Sequence, residues 1–138
     1  MKWLIGFITL AVFSLGTWLW LKPQAVAPIA LETKTINLGQ VEISTTPKNV
    51  EAGKALVFDL TFTTHSVELD YDLTQVVSAK DDRDNSYQVI SWSGGSGGHH
   101  LQGSLAFDPL QSSAQELKLI FTGIDNQNGE LNWKLERR

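Results

Sequence analysis

The run Ala55–Thr63 reads ALVFDLTFT. Leu56, Phe58, Leu60 and Phe62 fall on one side of it, and Val57, Asp59, Thr61 and Thr63 on the other. A period of two with large apolar residues on one face specifies a half-buried β-strand. The same rhythm recurs on both sides of this run. Val41, Ile43 and Thr45 alternate with Glu42 and Ser44, and Thr35–Leu38 precedes them across Gly39-Gln40. Downstream, Leu105 and Phe107 alternate with Ser104 and Ala106, Leu117, Leu119 and Phe121 share a face, and Leu131, Trp133 and Leu135 alternate with Asn132 and Lys134. Thr74–Ala79 and Tyr87–Trp92 read as two further strands.

Seven to eight short strands over about 105 residues, separated by turn residues, predict an all-β, immunoglobulin-like antiparallel sandwich. A barrel is the alternative. Phe58, Leu60, Phe62, Leu105, Phe107, Leu119, Phe121 and Trp133 are the expected core. If successive strands alternate in direction, loops 39–40, 64–73, 93–102 and 122–130 share one end, and loops 46–54, 80–86 and 108–115 share the other.

Composition agrees with one such domain. The chain has 138 residues, 42% of them hydrophobic, and no cysteine. Disulfides, thiolate metal sites and a thiol nucleophile are therefore excluded. With 11 basic and 15 acidic residues the net charge is -4, and no basic run is present. A nucleic-acid partner is not expected.

Trp3–Leu21 (WLIGFITLAVFSLGTWLWL) carries no charge and is bracketed by Lys2 and Lys22. At about 1.5 Å per residue it just spans a hydrocarbon core of about 30 Å. Trp3, Trp18 and Trp20 stand near its ends, where indoles favour the headgroup level. A cleaved signal peptide is the competing account, but Ala25-Val26-Ala27 is followed by Pro28 and the run is long for such a leader. The expected organisation is a transmembrane anchor at 1–22, a linker at 23–33 and an extracytoplasmic domain at 34–138. All 15 acidic residues lie beyond Pro23, which argues for placing the domain outside the cytoplasm, at a periplasmic or cell-surface address.

Chemistry concentrates in the loops of one end. His65 lies in loop 64–73 with Asp70 and Asp72, and His99 and His100 close the run SGGSGGHH. Imidazole with carboxylate suits Cu or Zn, so His65, His99, His100, Asp70 and Asp72 form the candidate metal set. The spacing matches no zinc signature, and loop histidines commonly serve as ordinary hydrogen-bonding groups. The glycine run lacks the Lys-Ser/Thr of a phosphate loop, and Asp81–Ser86 lacks the glycine and closing Glu of a calcium loop, which leaves it a charged hairpin turn. No Ser-His-Asp arrangement or nucleophile elbow is present, so no enzyme activity is expected.

The stretch Thr64–Leu73 (THSVELDYDL), with Asp81-Asp82, Trp92, Gly97-Gly98-His99-His100 and Gly103–Phe107, resembles a group of uncharacterised bacterial membrane-anchored or exported proteins that share THS, an acidic loop and W…GGHHxxGxLxF. The resemblance spans Phe58–Phe107 and implies an extracytoplasmic β-domain without an assigned activity. Ser96 and glycines stand where that group often has a proline, which frees the loop. The expected function is a membrane-tethered binding module that holds a ligand, a transition metal among the candidates, in its distal loops. The alternative is a structural or protein-interaction domain of the cell envelope, with an envelope protein as partner and no metal.

Overall fold

The computed structural model describes residues 30–136, and the expected anchor at 1–22 lies outside them. Among the described residues no helix is long and apolar enough to cross a membrane. The chain forms β1 (Lys34–Leu38), β2 (Val41–Asn49), β3 (Ala55–Thr63), α1 (Leu73–Val76), β4 (Val77–Asp81), β5 (Ser86–Tyr87), β6 (Val89–Trp92), β7 (His100–Pro109), β8 (Glu116–Ile124) and β9 (Gln127–Lys134). These strands build two antiparallel sheets, in the order β1-β2-β3-β7-β6 and β5-β4-β8-β9. The fold is all-β and sandwich-like, with two separate sheets rather than one closed barrel.

Alternation explains which face each sheet buries. Leu56, Phe58, Leu60 and Phe62 of β3 are fully buried, while Val57, Asp59, Thr61 and Thr63 are partly exposed. Every residue expected in the core is buried. Aromatic rings join the sheets across it: Phe58 packs on Trp133 at 5.5 Å between centroids, and Phe62 meets Phe121 edge-on at 6.4 Å. Phe58 also meets Phe107 of its own sheet at 5.9 Å. The start of the described chain is tied to this body. Leu31 packs against the core, and the Trp133 indole donates to the Glu32 carbonyl at 2.8 Å. Part of the expected 23–33 linker is therefore docked on the domain.

Two strand expectations need correction. Thr74–Ala79 is not one strand, because Leu73–Val76 forms a single helical turn before β4 begins. Asp72 caps that turn, accepting from Thr74 N at 3.0 Å and Thr74 Oγ1 at 2.7 Å, and this local bond outcompetes extension. Tyr87–Trp92 is also not one strand. Tyr87 pairs with Ala79 in one sheet, whereas Val89, Ser91 and Trp92 pair with β7 in the other. The chain changes sheets at Gln88, whose amide donates to Asp108 Oδ2 at 3.0 Å and whose carbonyl accepts from Asp108 N at 2.9 Å.

Two tight turns help define one end of the molecule. Leu38 pairs with Val41 across Gly39-Gln40, with Gly39 at φ 60. Ile124 pairs with Gln127 across Asp125 and Asn126, whose φ values of 46 and 57 give the doubly left-handed hairpin turn that suits strand twist.

Candidate functional site

The loops expected to share an end are joined there by hydrogen bonds. Thr63 at the close of β3 pairs with His100 at the start of β7, and Thr64 N donates to the His99 carbonyl at 3.1 Å. Leu69 N donates to the Gly98 carbonyl at 2.9 Å, and Gly97 N donates back to the Leu69 carbonyl at 2.8 Å. Glu68 Oε1 accepts from Gly98 N at 2.6 Å. The remaining two turns join through Asp125. Its amide donates to the Tyr71 hydroxyl at 2.9 Å, and its carboxylate accepts from Gln40 N at 2.8 Å. Four segments distant in sequence thus form one connected rim.

The glycine run serves this rim as backbone. Gly95, Gly97 and Gly98 all have positive φ, a conformation that side chains with a Cβ rarely adopt. Gly94 and Gly103 act differently, by allowing close approach. A methyl group on Gly103 would meet Gly94 N at 2.5 Å and Trp92 Cη2 at 3.0 Å. A methyl group on Gly94 would run into the Trp92 ring. The Trp92 indole also donates to the Gly95 carbonyl at 2.7 Å. The two glycines and this bond hold the ring in one place.

The histidines reach the expected end but do not converge as ligands. His65, His99 and His100 are exposed. His100 Nδ1 lies 3.5 Å from Thr63 Oγ1, across its own strand pair. Asp72 is committed through Oδ1 to Thr74. No bond joins an imidazole to Asp70 or Asp72, and no group of three or more His, Asp or Glu among the described residues could hold a metal. Strand pairing places His99 and His100 beside the THS segment.

Between two of these segments lies an open cleft of about 270 Å³, lined by Asp70, Tyr71, Asp72 and Leu73 from one and Trp92, Gly95 and Ser96 from the other. Tyr71, in a loop, and Trp92, at the end of β6, are far apart in sequence, and neither stands out as a site residue in the sequence. The legible signal was an aromatic residue beside each of the two loops that share an end. At the opposite end, Asp81 anchors the 81–86 turn. Its carboxylate accepts from the Arg83 and Asn85 amides, the Asn85 side chain and the Tyr87 hydroxyl, the last at 2.7 Å. Burial alone would raise the Asp81 carboxyl, but these four donors outweigh it and hold it below the usual carboxylate value. Burial, with the neighbouring Asp81 charge, pushes the Tyr87 phenol up to about 12. This end is a folded turn built on buried hydrogen bonds.

Compared with protein-family models, with curated proteins and with solved structures, the chain matches none of them.

Proposed function

We propose that the protein is a membrane-tethered module whose immunoglobulin-like domain stands outside the cytoplasm and binds a ligand through its loop-lined end. The observation that carries this reading is the Tyr71–Trp92 cleft within a rim of four hydrogen-bonded loops, at the end away from Lys34, where the chain enters β1. Strand order supports the immunoglobulin comparison. With β1 set aside, β2-β3-β7-β6 corresponds to an A-B-E-D sheet, and β4-β8-β9 to C-F-G with β5 added at its edge. Sandwiches of that order present their binding loops at one end. Tethering at Trp3–Leu21 would leave that end facing away from the bilayer. The cleft offers recognition groups, two carboxylates and two aromatic rings, and this reading makes the domain a binder rather than an enzyme.

The test uses the full chain in detergent micelles, with tryptophan indoles labelled by 15N. Lysine amide, glucose and Zn(II) are titrated in turn while the Trp92 signal is followed. A saturable shift with at least one of them is expected. No shift with any overturns the reading in favour of a structural or protein-interaction domain of the envelope.

A further inference from the structure

Resting on the binding-module reading, we infer that the cleft between Tyr71 and Trp92 takes an organic cation, an alkylammonium or guanidinium group. The argument begins with the walls. Tyr71 and Trp92 both line the cleft, and both are held before any ligand arrives. The Asp125 amide fixes the Tyr71 hydroxyl, while Gly94, Gly103 and the Gly95 carbonyl fix the Trp92 indole. Aromatic faces attract cations through the ring quadrupole, Trp most strongly. A preset wall spares the ligand the cost of ordering it.

The charges decide between ligands. Among the described residues the Asp70 side chain makes no ion pair or hydrogen bond, and Asp72 uses only Oδ1, which leaves its Oδ2 uncommitted there. No lysine or arginine lies in loops 39–40, 64–73, 93–99 or 122–130, although Glu68, Asp70, Asp72 and Asp125 do. The described cations occupy the other half of the domain. Lys34, Lys48 and Lys54 flank the entry strand and the β2–β3 loop, and Lys80 and Arg83 flank the β4–β5 turn. Lys118 and Lys134 lie at the matching ends of β8 and β9. The ion pairs between described residues, Lys34–Glu32, Lys48–Asp59, Lys54–Glu51 and Lys118–Glu130, all draw on that set. The cleft therefore keeps an uncompensated negative field that repels anions and attracts cations. Its volume of about 270 Å³ suits one long basic side chain or one small amine. An aliphatic stem would lie along the partly exposed Trp92 ring while its charged head meets the carboxylates.

The experiment titrates Nα-acetyl-lysine amide, choline and glucose into the full chain in detergent, reading the 15N indole signal of Trp92. At least one cation should give a saturable shift with a Kd on the order of 1 mM, weakened about fivefold when NaCl rises from about 20 to 500 mM. The double variant Asp70→Asn/Asp72→Asn should weaken it about fivefold or more, while the side-chain oxygen of the second asparagine still caps α1. Trp92→Phe should retain binding better than Trp92→Leu, followed in both through amide shifts of Gly95 and Ser96. A response to choline alone identifies a small amine, and a response to lysine amide identifies a basic side chain of a peptide. Either result supports the inference. A shift with glucose and neither cation overturns the inference but leaves the binding module standing. A cation shift indifferent to salt and to both Asp→Asn substitutions also overturns the inference. Silence with all three probes overturns the inference, and only silence with Zn(II) as well removes the binding module.

Discussion

Thr45 stands fully buried on β2, and its hydroxyl has no hydrogen-bond partner among the described residues. A buried unpaired hydroxyl loses its water without replacement, so a methyl group of the same shape is the better occupant. Thr45→Val should raise stability by about 1 kcal/mol, read as a higher urea midpoint at unchanged slope. Gly39 is the opposite case. It holds φ 60, and a methyl group there would overlap the Asp125 carboxylate that accepts from Gln40 N. Gly39→Ala should cost about 1–3 kcal/mol and loosen the 124–127 turn, which amide exchange would detect. Asp81 and Tyr87 predict the pH profile. A carboxyl held below its unfolded value stabilises above that value, and the contribution is lost as pH falls through the folded pKa. A phenol raised to about 12 contributes stability fully below about pH 10, which is lost as pH climbs toward 12. Urea midpoints of the wild type should therefore fall below about pH 4 and again above about pH 10, and Tyr87→Phe should flatten the alkaline fall. An equal alkaline fall in Tyr87→Phe would contradict the assignment.

Strands show how far alternation reaches. In β3 the period of two fixes which side chains enter the core, and Phe58 reaches both sheets through Phe107 and Trp133. Phe58→Ala should cost about 3–5 kcal/mol through lost transfer energy and a cavity. Val57→Ala, on the partly exposed face, should cost clearly less in the same unfolding experiment, and equal costs would reverse the face assignment. Alternation was less informative where local bonds compete. Thr74–Ala79 carries a strand-like pattern, but Asp72 captures Thr74 and winds the first part into α1. Pro47 lies inside β2, a position a central strand would disfavour. It is tolerated because β1 pairs with β2 only as far as Thr45, and the β2–β3 register shifts between Pro47 and Asn49.

At the scale of the molecule, the two ends differ in kind, one a rim of loops without lysine or arginine, the other carrying the described cations and the Asp81 turn. The tethered arrangement predicts that full-length protein stays with membranes through carbonate washing. It also predicts that a cysteine placed by Ser96→Cys in this cysteine-free chain reacts with an impermeant maleimide on intact cells. Labelling only after permeabilisation would reverse the orientation. Strand existence, the buried face of β3, the expected core and the grouping of loops at two ends were all legible in the sequence. Each follows from a period of two and from antiparallel succession, which are local rules. The sheet change at Gln88, the helical turn at Leu73–Val76 and the Tyr71–Trp92 cleft were decided only by tertiary structure. Sheet membership depends on which distant strand offers free backbone partners, here β4 for Tyr87 and β7 for Val89. The cleft exists because pairing of β3 with β7 brings loops from distant parts of the chain into contact, a consequence of long-range register that no local spacing encodes.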